Sequence, residues 1–116
     1  MASITFTSAG GISATSFTAT SSKEKKDNII KATLDATSFL KDVDVVNFTY
    51  KEDPNQDPHI GFIAEYTDEL LATPRHDQMD LGNCIGVLIK AVQELSERVK
   101  LLEEKLDDKP KVLSAL

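Results

Sequence analysis

Seven apolar residues, Ile85, Leu88, Val92, Leu95, Val99, Leu102 and Leu106, recur at alternating spacings of three and four through a strongly charged stretch. That spacing is a coiled-coil seam, a stripe that one helix cannot bury alone, and it predicts an oligomer. Written as heptads, Ile85, Val92, Val99 and Leu106 take the a positions while Leu88, Leu95 and Leu102 take d. Arg98 at g and Glu103 at the next e pair between parallel neighbours, and Glu94 with Arg98 has the helix-favouring order within one chain. β-branched a residues with leucine at d favour two strands, whereas Ile89 at e and Ala91 at g widen the stripe towards three, so the stripe alone fits either number. Over the first two turns Val87 and Ile89 make the helix apolar nearly all round, which predicts packing against its own domain there. Asp80 stands where an N-cap belongs, before a helix of ~26 residues and ~39 Å that Pro110 ends.

Upstream, the periodicity changes three times. Residues 1–22 carry no charge and eleven of them are Ser or Thr, with Ile4, Phe6, Ile12 and Phe17 spaced among them and a break at Gly10-Gly11. This predicts short strands joined by a turn, the alternative being a low-complexity leader. The charged run Lys23 to Asp27 marks a boundary. From Asn28 to Leu40, Ile30, Leu34, Phe39 and Leu40 suit a modest amphipathic helix. Val46, Phe48 and Tyr50 alternate with Asn47 and Thr49, a period of two that means a strand, and Ile60 to Ala64 is a second one. Between them Glu52 to Pro58 is a polar turn with two prolines. Thr67 is placed to cap a short helix whose first turn holds Asp68 and Glu69 and whose Leu70 and Leu71 pack it down. The fold class is therefore α+β: a 1–20 leader, a small knob over 21–80, a coiled-coil helix over 81–109 and a tail over 110–116.

Composition removes several functions. Nineteen acidic residues against thirteen basic ones give a net charge of −6, the wrong sign for a nucleic-acid binder. Cys84 is the single cysteine, so neither an intrachain disulfide nor a cysteine-pair zinc site exists. No run of about twenty apolar residues spans a bilayer, and Met1 is followed by Ser/Thr-rich sequence rather than a signal peptide. No membrane partner and no cofactor are expected. Glu52, Asp53 and Asp57 have the chemistry of a cation site, but a solvated turn is the better reading, so no metal is assigned.

Four motifs in fixed order change the picture. Ser21 is followed five residues later by Lys26 and then by Asn28-Ile29; Phe48-Thr49-Tyr50 closes a strand; His59-Ile60-Gly61-Phe62-Ile63-Ala64 follows; and Leu88 to Leu95 reads Leu-Ile-Lys-Ala-Val-Gln-Glu-Leu. Together they resemble the intramolecular chaperone domain at the C-terminus of phage tailspikes, tail fibres and neck appendages, peptidase family S74, shared with the myelin regulatory factors. The resemblance runs from Ser21 to Leu106, about three quarters of the chain. It implies a homotrimer that guides folding of the fibre or spike upstream of it and then cuts itself off, with Ser21 as nucleophile, Lys26 as base and Thr20-Ser21 as the scissile bond. It further implies action in the host cytoplasm during virion assembly, the fibre staying with the virion and the chaperone released. The family usually has Asp after the serine and Arg-Leu before the lysine, where this chain has Ser22, Glu24 and Lys25. The competing reading is a permanent trimerisation cap that does not cut.

The chemistry needs those residue types. A serine hydroxyl is a poor nucleophile until a base takes its proton, and a lysine is that base only when neutral. Burial in a trimer and the like charges of Lys23 and Lys25 favour the neutral amine, while Glu24 and Asp27 oppose it. Cutting is thus expected to be conditional on assembly. His59, at the head of an apolar strand, is expected to be a structural histidine bonded to backbone and is kept as a supporting site residue because of its motif position. Gly61 is expected to permit close packing rather than to bind phosphate.

Overall fold

A computed structural model describes residues 12–108. The chain divides into two units, Met1–Ala32 and Thr33–Leu116.

In the first unit, residues 12–22 form no strand, and the only regular element among the described residues is a single 3-10 turn, Lys23–Lys25. Ile4, Phe6 and the Gly10-Gly11 break lie outside the described residues, as do Pro110 and the 111–116 tail.

The second unit begins with an extended segment leading into α1, Ala36–Lys41. This helix is shorter than the apolar spacing over 28–40 predicts. Asp35 is the stronger start signal: its carboxylate accepts from the Ser38 amide at 3.3 Å and from the Ser38 hydroxyl at 2.9 Å, so the helix starts one residue later. Upstream, Asn28 takes a left-handed φ of 54°, which no helix tolerates and which asparagine adopts more readily than most residues. Ile29 and Ile30 are left exposed, while Leu34 packs on the core from an extended backbone.

β1, Val46–Phe48, and β2, His59–Gly61, pair antiparallel with Val46 opposite Gly61 and Phe48 opposite His59. The connecting loop is stitched from within. Asp53 accepts from the Asn55 and Asp57 amides, both at 2.9 Å, and these bonds hold its carboxyl below the usual carboxylate range. Gln56 donates to the Tyr50 and Asp53 carbonyls at 2.9 and 2.7 Å. The acidic cluster is therefore occupied in making the turn.

α2, Glu69–Ala72, is capped by Asp68, which accepts from the Leu70 amide at 2.8 Å. Thr67, the cap expected from sequence, is buried and donates its hydroxyl to the Ile63 carbonyl at 2.7 Å instead. α3, Leu81–Asp107, starts where predicted, with Asp80 accepting from the Asn83 amide at 2.9 Å. Its 27 residues make a rod of about 40 Å. The core is small: Ala36 of α1, Leu71 of α2, and Val87 and Ala91 of α3, with Phe39, Phe62 and Cys84 packed against them. Burial pushes the Cys84 thiol up, so it serves as a packing group rather than a nucleophile.

α3 meets this core along one stripe only, Cys84, Val87, Ala91 and Glu94, spaced by three and four. Two sequence expectations change here. Ala91 is buried against its own domain, so it does not widen the seam; Ile89, expected to pack inward, is 55% exposed and sits beside it. The Glu94 carboxylate does not turn towards Arg98. It accepts from the Ala36 and Thr37 amides of α1 at 2.8 and 2.9 Å and from Lys90 Nζ at 2.9 Å. Asp35 and Glu94 thus satisfy the first three amides of α1 between them, which helices otherwise leave to water.

Candidate functional site

Five residues separate Ser21 from Lys26, and an extended chain would hold their Cα atoms about 17 Å apart. The 3-10 turn between them closes that gap. Lys25 N donates to the Ser22 carbonyl at 3.0 Å and Lys26 N to the Lys23 carbonyl at 3.2 Å, which brings the lysine back over the serine. Lys26 Nζ then donates to Ser21 Oγ at 2.7 Å, within the reach a nucleophile and its base require. With the amine neutral the same contact reverses, the hydroxyl donating its proton to nitrogen. Both residues are exposed in the single chain. Thr20 and Ser21 lie outside any helix or strand and are exposed, so the peptide between them is open to solvent.

Ser22, the neighbouring hydroxyl, is otherwise engaged: its Oγ accepts from the Glu24 amide at 3.3 Å as the N-cap of the turn. Spacing alone favours Ser21 in the sequence; in the structure it is the Ser21 hydroxyl, not that of Ser22, that lies against Lys26 Nζ.

The remaining candidates lie in the second unit. His59 is exposed, and its ring stacks on Phe48 at 5.5 Å between centroids with the Tyr50 ring edge-on at 4.8 Å. The backbone bond expected of it belongs to His76, whose Nδ1 lies 2.8 Å from the Thr67 carbonyl. His59 opposes Phe48 in the strand register, and cross-strand aromatic pairs stabilise such a short ladder. A Cβ added at Gly61 would meet the Phe48 ring at 3.4 Å, so the glycine leaves room for that ring to lie down. Phe48, Tyr50, His59, Gly61 and Met79 together line a shallow groove beside β2.

The seam residues are all on the surface, from 49% exposed at Leu95 to 65% at Leu106. None of the seven is among the residues that make up the core.

A family model described as the chaperone of endosialidase, a peptidase S74 family, matches residues 21–73, just under half the chain. Residues 21–73 are similar to that family. The chaperone-of-endosialidase match begins at Ser21 and takes in Lys26, Asn28-Ile29, Phe48-Thr49-Tyr50 and His59 to Ala64. α3, with its Leu88 to Leu95 motif, lies beyond it. No curated protein and no solved structure matches the chain.

Two functional side chains escape sequence reading. Glu94 looks like a surface partner of Arg98 because nothing local announces that α1 ends beneath it. Ser22 looks like a rival nucleophile, although Ser followed by a short charged turn is also an N-cap signal.

Proposed function

We propose that the chain is a self-cleaving intramolecular chaperone. It assembles as a homotrimer through the seam of α3, directs folding of a fibre or spike segment N-terminal to it in the same polypeptide, and is released by cutting at Thr20-Ser21. The observation that carries this reading is the 2.7 Å contact between Lys26 Nζ and Ser21 Oγ, in a segment similar to a chaperone family.

In the reaction, neutral Lys26 takes the Ser21 hydroxyl proton and Oγ attacks the Thr20 carbonyl carbon. The C–N bond of the peptide breaks, the Ser21 nitrogen leaves as an amine carrying a proton returned from Lys26, and an ester joins Thr20 to Oγ. Water then hydrolyses the ester, leaving a Thr20 carboxylate and restoring the hydroxyl. Holding the groups in contact removes about 7–11 kcal/mol of a barrier that free reactants would meet. Each chain turns over once. By this reading cutting waits on assembly, which buries the Ser21 and Lys26 side chains between neighbouring chains.

Aligning three chains first has a physical purpose, because intertwined β-rich fibres pair slowly and out of register without a nucleus. Releasing that nucleus leaves a fibre trapped behind its unfolding barrier. By this reading the work is done in the host cytoplasm during virion assembly.

Intact-mass spectrometry with sedimentation tests the proposal. Wild type is expected to be a trimer that yields two fragments divided at Thr20-Ser21. Ser21→Ala and Lys26→Ala are expected to remain whole trimers. A wild-type trimer that stays whole on long incubation makes the chain a permanent cap instead.

A further inference from the structure

We propose that Ser22 is a positioning residue for the cut: by capping the Lys23–Lys25 turn, its hydroxyl holds Lys26 against Ser21. This rests on the proposed function above. Three bonds build the turn, and two of them, Lys25 N to Ser22 O and Lys26 N to Lys23 O, are backbone bonds that any sequence could make. The third is the side-chain bond, Glu24 N to Ser22 Oγ at 3.3 Å, with Ser22 itself at φ −67° and ψ 140°, the extended geometry of an N-cap. Every residue from Ser21 to Lys26 is exposed, so water competes for each backbone group and a one-turn helix has no packing to hold it closed. The side-chain cap is then what biases the turn towards the closed form. Since Nζ reaches Oγ only when the turn is closed, the closed fraction multiplies the cutting rate. The same bond occupies the Ser22 hydroxyl and leaves Ser21 as the free nucleophile.

The test is the cutting rate of full-length trimers with Ser22 replaced along the capping scale. Losing an N-cap costs helices about 1 kcal/mol, which is about fivefold in the closed fraction. Ser22→Ala is expected to cut about fivefold more slowly than wild type. Ser22→Asn, an uncharged capper of equal rank, is expected to restore the rate, and Ser22→Thr to fall between. Sedimentation is expected to show the same trimer throughout. In the uncut Ser21→Ala background, adding Ser22→Ala is expected to speed hydrogen exchange at the Glu24 amide while leaving the Ala36 amide unchanged. A Ser22→Ala chain that keeps pace with a cutting wild type, or a Ser22→Asn chain as slow as Ser22→Ala, overturns this role alone. A wild type that never cuts overturns the proposed function and this role with it.

Discussion

The two halves of α3 are held by different things. From Leu81 to Glu94 the helix buries one stripe against α1 and α2 and leaves its seam face open; from Leu95 to Asp107 every residue is exposed. Yet the seam runs through both halves without a break in register. In the first half domain packing uses Cys84, Val87, Ala91 and Glu94, none of which is a seam position, so the a and d leucines and valines there are surplus to the fold. In the second half no described residue covers them. A stripe that persists whether or not a domain lies beside it is what the proposed assembly through a copy of the same helix requires.

The sharpest way to break this contrast is to charge the seam in the unsupported half. Val99→Asp with Leu102→Asp is expected to abolish association outright at micromolar concentration by sedimentation, and cutting with it, while amide exchange still reports a folded knob. Should the knob unfold together with the trimer, the halves are one cooperative body and the contrast is wrong.

A smaller effect probes the supported half. Glu94 fastens α3 to α1, and the Lys90 ammonium together with the Thr37 and Ala36 amides lowers its carboxyl from an ordinary 4.5 to about 2. A carboxyl depressed on folding contributes stability that is whole above its unfolded value and is lost as pH falls through the folded one. The knob is therefore expected to loosen as pH falls from about 5 towards 2, a slope that Glu94→Gln flattens while lowering stability at pH 7. Near-ultraviolet circular dichroism against pH follows this. The far half of α3, which has no such tie, is expected to show none of that slope.

Legibility in the sequence follows the range of the forces. The long helix and its start were readable because the seam repeats and Asp80 caps locally; the hairpin was readable because alternation of Val46, Phe48 and Tyr50 is a property of one strand. The proposed pairing of Ser21 with Lys26 needed their spacing together with motifs some forty residues downstream. What sequence hid was set by contact between distant residues. The start of α1, set locally by the Asp35 cap, is tied down by a carboxylate 58 residues away on its first amide, and Ala91 is buried in the core instead of widening the seam. Thr67 gave the cap role to Asp68, its own hydroxyl donating back to the Ile63 carbonyl.

The least effect, and the one that decides orientation, lies in the exposed half. In parallel in-register neighbours Arg98 at g faces Glu103 at the next e, whereas in an antiparallel pair g faces g and e faces e. Exposed pairs of this kind contribute about 0.2–1 kcal/mol and fade with salt. Arg98→Glu is expected to weaken association less than tenfold at low ionic strength and hardly at all in molar salt. Adding Glu103→Arg restores opposite charges across a parallel seam and is expected to recover the loss; across an antiparallel one, like would still face like and nothing would return. Since three chains would cut at equivalent bonds only if they ran the same way, recovery by the double swap is what the proposed trimeric chaperone requires of its weakest contacts.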